Sequence, residues 1–432
     1  MPACPALFIG ASASGQGKTT VTAGLALLHR QRGRQVRVFK TGPDFLDPMI
    51  LARASAAPVQ SLDLWMVGEQ ECRRLLAEAA AEADLILIEG VMGLFDGTPN
   101  SADLAAAFGV PVAAVISAKS MAQTFGAIAS GLARHRADIR MHGVLANHVG
   151  SARHAQMLQE GMPGDIRWLG GLPPSDRIAL PTRHLGLHQP GEIDQLDMRI
   201  AFTAQALADT LLAELPAPVV FEPAPARALP RLLEDMRIAI ARDDAFSFIY
   251  PANVRLLESL GAQVEFFSPL ADEPLPVGTD ALYLPGGYPE LHAAALAGNS
   301  TSARSIRSHA GAGRPILAEC GGMLYLLDSL TDTQGTTTPM LGLLTGHATM
   351  RGRLASLGMQ ALETKQGRLA GHAFHYSSMT TPLTPAAHAL RARDGALGEP
   401  IYRSGSVVAT YMHGYWPSNP TLTAALFHGT AF

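Results

Sequence analysis

Residues able to do chemistry gather at two places far apart in the chain. The first is Ser12-Ala13-Ser14-Gly15-Gln16-Gly17-Lys18-Thr19-Thr20. Gly15 and Gly17 let the backbone close around an anion, and the loop N–H groups and a following helix N-terminus then point at its oxygens. Lys18 is placed to reach the outer phosphates of a nucleotide and the Thr19 hydroxyl to hold Mg²⁺, with Ser14 and Thr20 on the same binding turn. Ser12 stands where the general phosphate-loop pattern has glycine, so the flanks must carry the assignment. They do: Leu7-Phe8-Ile9 reads as a strand and Val21 to Leu28 as an amphipathic helix. The second place is Pro315-Ile316-Leu317-Ala318-Glu319-Cys320-Gly321-Gly322. An apolar strand breaks at a cysteine and a Gly-Gly turn leads into a helix, the elbow that presents a nucleophile. A thiolate there is expected to be favoured by the helix N-terminus.

Other reactive side chains end apolar runs, and in an open α/β sheet such ends converge on one edge. Val36 to Phe39 runs into Lys40-Thr41-Gly42-Pro43-Asp44-Phe45-Leu46-Asp47-Pro48. Asp44 and Asp47 are hard oxygen donors suited to Mg²⁺, and Lys40 can balance phosphate charge. Leu85 to Ile88 ends in Glu89, the position at which a phosphate-loop site carries a metal-orienting carboxylate. Asp96 lies in a loop with glycines at 90, 93 and 97 and suits a substrate or metal contact, with a turn former as the plain alternative. Asn147 ends another strand and reads either as an adenine contact or as a cap. In the second half, Gly286 and Gly287 follow Leu282-Tyr283-Leu284 and, with Gly321, are candidates for an oxyanion hole. Val407 to Met412 leads to His413, expected at a strand end as the base for Cys320.

The elements that must position these groups alternate between strand and helix, which predicts α/β architecture with doubly wound sheets. Five prolines between Leu215 and Arg231 mark a crossing. The organisation expected is therefore a nucleotide-binding domain at 1–215, a Pro/Ala-rich linker at 216–232 and a second α/β domain at 233–432. A chain of 432 residues with 47% apolar and 16% charged residues is globular and long enough for two cores. A net charge of −4 gives no electrostatic case for nucleic acid or an anionic membrane. The longest apolar stretch, Leu104 to Ile116, contains Pro111 and is too short to span a bilayer. Three cysteines and no signal-like N-terminus point to a cytoplasmic enzyme without a disulfide framework.

Four segments carry a resemblance: Ser14 to Thr20, Gly42 to Pro48, Glu89 to Gly97 and Leu180-Pro181-Thr182-Arg183-His184-Leu185-Gly186-Leu187. The first half resembles the nucleotide domain of the dethiobiotin synthetase group and, more closely, the amidotransferases of corrinoid biosynthesis. The second half is similar to class I glutamine amidotransferase domains of the corrinoid type, and Gly371 to Ser377 matches a further element of that family. The resemblance implies ATP and Mg²⁺ as cofactors and a corrinoid and L-glutamine as substrates. The a and c acetate carboxylates of cobyrinic or hydrogenobyrinic acid would be amidated through an acyl phosphate. Arg183 and His184 would recognise substrate carboxylates, and a homodimer is plausible for the first half. Two alternatives stand beside it: amidation of another tetrapyrrole such as nickel sirohydrochlorin, and a regulatory ATPase with an inert amidotransferase-like domain. One departure matters. Class I domains generally carry Glu two residues after the catalytic histidine, and this chain has Tyr415.

Overall fold

The computed structural model describes residues 1–183, 186, 187, 189–222 and 228–432. They form two compact units, Met1–Ala226 and Arg227–Phe432.

The first unit is built on strands β1 (Ala3–Ala11), β2 (Val36–Thr41), β3 (Gln60–Leu62), β4 (Leu85–Glu89), β5 (Val112–Ser117), β6 (Met141–Asn147) and β7 (Trp168–Gly171). They lie in the order β3-β2-β4-β1-β5-β6-β7, and the pairings among them are parallel. Sequence dictates this arrangement: β1, β4 and β5 are near-continuous apolar runs, as strands covered on both faces must be. Helix α1 (Lys18–Gln31) follows β1 after a turn that needs glycine, since Gly15 and Gly17 have φ of 75° and 95°. Its Val21, Leu25 and Leu28 are buried in the core with Ile50, Leu51 and Ile200. Parallel register sets Lys40 opposite Glu89 and Ser117 opposite Asn147, so the strand-end residues collect at the edge from which the phosphate loop springs. The stretch expected as a linker begins inside this unit: Pro218–Val220 pairs antiparallel with β1. Residues 223–227 lie outside the described residues.

The second unit carries a ten-stranded sheet. Five of its strands, Gln263–Phe267, Arg237–Ala241, Ala281–Leu284, Ile316–Glu319 and Val407–Thr410, pair in parallel in that order. Antiparallel strands extend the sheet beyond Val407–Thr410 through Leu397–Ser404. Apolar side chains cover both faces of the parallel part in two clusters, one around Leu284, Ala318 and Met323 and one around Tyr283, Leu317 and Trp416.

Candidate functional site

At the edge of the first unit the phosphate loop meets a buried charge cluster. Lys40 Nζ donates to Asp47 Oδ2 at 2.6 Å and to Glu89 Oε1 at 2.7 Å, and lies 3.9 Å from Asp44 Oδ2. Thr19 Oγ1 donates to Glu89 Oε1 at 2.9 Å. Burial works against the Lys40 ammonium, but Asp47 and Glu89 overcome it and raise its pKa. Asp47 is likewise buried, yet Lys40 keeps its carboxyl below the ordinary range, while burial raises Glu89. Lys18 Nζ donates to Met92 O at 2.6 Å and Ala13 O at 3.4 Å. Burial, then the charge of Lys40, lowers Lys18 to about 8. The loop thus holds a buried ammonium, the group with which an arriving phosphate would pair.

Individual sequence expectations fare differently here. Asp44 Oδ1 accepts the N–H groups of Leu46 and Asp47, so it caps the helix Leu46–Ser55 with one oxygen. Asp96 Oδ2 accepts from Gly93 N–H at 2.9 Å and closes a turn. Asn147 Nδ2 donates to Gln16 O at 2.9 Å, buttressing the phosphate loop. Ser14 and Gly15 are exposed on the loop, and Thr20 is half-buried in the first turn of α1. The metal set of Thr19, Asp44, Asp47 and Glu89 is not preassembled. Among the described residues no three acidic, histidine or cysteine side chains already converge to hold a metal; the Lys40 ammonium stands between Asp47 and Glu89 instead. His184 and the Arg183 side chain lie outside the described residues.

In the second unit, Cys320 follows the strand Ile316–Glu319 with φ 44° and ψ −108°. That is a strained conformation for a non-glycine residue and turns the chain sharply into the helix Gly321–Leu326. Cys320 N–H donates to Thr410 O at 2.7 Å, tying the elbow to the neighbouring strand. His413 does not end that strand as expected. The chain leaves it at Thr410, and His413–Gly414 forms its own short strand, antiparallel to Gly371–His372. The imidazole packs against Gly286, where an added methyl carbon would lie 2.3 Å from Cε1. It also stacks on His372, with ring centroids 5.0 Å apart. Gly287 and Gly321 lie against each other, since a Cβ on Gly321 would be 2.9 Å from the Gly287 nitrogen. Of the three expected oxyanion glycines, Gly287 and Gly321 therefore share one spot beside the elbow, while Gly286 makes room for the histidine.

The electrostatics of the elbow reverse one expectation. Cys320 is 6% exposed, and burial, with the charge of Glu290 next, raises the thiol instead of lowering it. Burial, then His372 and His375, lowers His413 well below the usual histidine range. The pair rests as thiol and neutral imidazole. Sequence reasoning missed Glu319, which is 3% exposed and whose Oε2 lies 4.0 Å from His413 Nδ1. The signal was present, because Glu319 ends an apolar strand just as Glu89 does.

Residues 7–187 match the CobQ/CobB/MinD/ParA nucleotide binding domain, and residues 237–421 match the CobB/CobQ-like glutamine amidotransferase domain. The chain is 57% identical to hydrogenobyrinate a,c-diamide synthase of Pseudomonas aeruginosa, over 98% of this chain and 97% of that one. It belongs to the hydrogenobyrinate/cobyrinate a,c-diamide synthase family. Identity to the hydrogenobyrinate a,c-diamide synthase of Stutzerimonas stutzeri is 58%, covering 98% of each chain. Identity to the cobyrinate a,c-diamide synthase of Herminiimonas arsenicoxydans is 52%, over 98% of this chain and 96% of that one. Like them, the chain is an amidating ligase that joins a nucleotide-binding domain to a glutamine amidotransferase domain. Among the described residues no helix is long and apolar enough to cross a membrane.

Proposed function

We propose that this chain uses ATP and glutamine to amidate the a and c acetate carboxylates of hydrogenobyrinic or cobyrinic acid. The observation that carries the reading is the pairing of a phosphate-loop charge cluster with a Cys-Gly-Gly elbow in a chain 57% identical, along nearly its whole length, to a hydrogenobyrinate a,c-diamide synthase. Residues 233–432 supply ammonia. The Cys320 sulfur attacks the glutamine carboxamide, its proton passes to His413, and the Gly287 and Gly321 N–H groups stabilise the oxyanion. The C–N bond breaks as His413 gives the proton to the leaving ammonia, and water then cleaves the thioester to glutamate. Residues 1–215 use that ammonia. A substrate carboxylate oxygen takes the γ-phosphoryl group of ATP, which turns a poor leaving group into phosphate, and ammonia attacks the acyl carbon. Lys18 and Lys40 offset charge on the phosphates, and Ser14, Gly15, Gly17 and Thr20 shape the loop that holds them. Asn147 supports that loop, Asp96 offers a substrate contact from its turn, and Arg183 and His184 receive substrate carboxylates.

Mg²⁺ fits this site, because Asp47 Oδ1 and Glu89 Oε2 are buried oxygens that have no hydrogen-bond partner among the described residues, beside the Thr19 hydroxyl. Bound by Thr19, Asp47 and Glu89, with Asp44 nearby, it would neutralise phosphate charge. A cytoplasmic location and a homodimer through the first unit complete the reading. The test is amidation by the purified full chain with ATP, Mg²⁺ and glutamine, following product mass on cobyrinic acid, hydrogenobyrinic acid and nickel sirohydrochlorin. Two successive exchanges of OH for NH₂ on either corrinoid are expected. Reaction with the sirohydrochlorin alone would reassign the substrate, and no glutaminase activity at all would return the inert-domain reading. Cys320→Ala should lower glutamine-driven amidation by roughly 10³-fold or more, while ammonium salts still support it.

A further inference from the structure

We propose that Glu319 is the positioning residue of the glutamine-hydrolysing site, the carboxylate that holds His413 as a base in place of the acidic residue that Tyr415 replaces. The proposal rests on the reading of Cys320 and His413 as nucleophile and base. Glu319 Oε2 lies 4.0 Å from His413 Nδ1, and both side chains are almost wholly buried. Three elements fix the carboxylate. It ends the nucleophile strand, its Oε2 accepts the Tyr283 hydroxyl at 2.7 Å, and its Oε1 accepts the Gly414 N–H at 3.1 Å. The last bond reaches the residue directly after His413. One side chain thus joins the strand that carries the nucleophile to the strand that carries the base.

The physical need for it follows from burial. When His413 takes the thiol proton it becomes a cation in surroundings that disfavour one, as its depressed affinity for protons shows. Its neighbours His372 and His375 offer no compensating negative charge. A carboxylate about 4 Å away offsets that cation through its charge, whereas Tyr415 brings no formal charge. The groups facing Glu319 are Tyr283, the Trp416 indole, His413 and the adjoining Cys320. Glu290 and Glu399 face Cys320 from outside this set. Burial raises Glu319 to about 7, against the hydrogen bonds from Tyr283 and Gly414. At that pH His372 and His413 are neutral and Cys320 and Tyr283 protonated. Ionisation of Glu319 therefore makes glutamine turnover rise as pH passes upward through about 7.

The experiment is glutaminase kcat and KM against pH for the full chain and for Glu319→Gln, Glu319→Asp, Cys320→Ala and His413→Ala, with a melting curve for each. Glu319→Gln should lower kcat by roughly 10²-fold with KM little changed, and should flatten the rise near neutrality. Glu319→Asp, which keeps the charge, should recover part of both. A folded Glu319→Gln with the kcat and pH profile of the unaltered chain overturns the proposal. Glutaminase activity surviving in Cys320→Ala would instead overturn the underlying site. Should Glu319→Gln fail to fold, Tyr283→Phe decides: loss of its hydrogen bond should move the midpoint upward in pH, and an unmoved midpoint overturns the proposal.

Discussion

The two units place the same sequence element in opposite company. Leu85–Glu89 and Ile316–Glu319 are both apolar parallel strands that end in a buried glutamate and then turn. Glu89 meets an ammonium at 2.7 Å and a threonine hydroxyl at 2.9 Å. Glu319 meets a phenol, a backbone N–H and a neutral imidazole. The first site sets fixed charges of opposite sign against one another, and on the proposed reading a nucleotide with its cation would exchange for that arrangement. The second site is uncharged at His413 and Cys320, and separates charge only when a proton moves between them. The difference suits the two tasks proposed for them: one would bind a polyanion, the other would make a nucleophile on demand.

Removing the balancing charge from the first unit should have the largest effect on stability. Lys40→Met leaves Asp47 and Glu89 buried without their cation, which costs about 3–5 kcal/mol. For a unit of this size that lowers the first melting transition by on the order of 10 °C in scanning calorimetry. Lys18→Met is the contrast. Among the described residues Lys18 donates only to the carbonyls of Met92 and Ala13, so melting should shift far less while nucleotide binding is lost in a titration. Equal melting of both variants would mean that the carboxylates neutralise themselves by taking up protons, and the contrast between the units would collapse.

Next in size is Gly286→Ala, which tests the packing of the neutral site. The added methyl would lie 2.3 Å from His413 Cε1, so the ring must move. Glutaminase kcat should fall by roughly 10²-fold with ammonium-driven amidation retained. An unchanged kcat would show that the imidazole has room to spare.

The smallest effect is in pH. Burial lowers His372 to about 3 from an ordinary 6.5. Below 6.5 the unfolded chain therefore binds a proton that the folded chain refuses, so stability is complete above that pH and is lost as pH falls toward 3. The slope contributed averages about 1 kcal/mol per pH unit between about pH 6.5 and 5. His372→Gln should reduce the pH dependence of urea unfolding between about 6.5 and 5 by that amount, with His413 supplying a slope of the same sign that remains. An unaltered slope would mean that His372 is protonated in the folded chain.

What the sequence revealed follows from how local each signal is. Lys18, Thr19 and Glu89 were legible because a glycine-rich turn and a strand-end carboxylate are written within a few residues each. Lys40 beside Glu89 was half legible: both strand ends were seen, but the parallel register that sets them opposite one another is a property of the sheet. A histidine beyond an apolar strand can be read at His413, yet not the break after Thr410 that puts it on a strand of its own, because that strand exists only through its pairing with Gly371–His372. Glu319 escaped although it repeats the Glu89 pattern, since a glutamate beside a candidate nucleophile draws no notice until its neighbours are known. The thiol of Cys320 was misjudged for the same reason. A helix terminus can be read from sequence, whereas burial among acidic side chains cannot.

The buried, protonated thiol of Cys320 also bears on oxidation, if it is the nucleophile proposed above. Peroxide attacks thiolates that it can reach, and between turnovers this sulfur offers neither ionisation nor access. On the proposed mechanism this sulfur becomes reactive only while glutamine occupies the site and covers it.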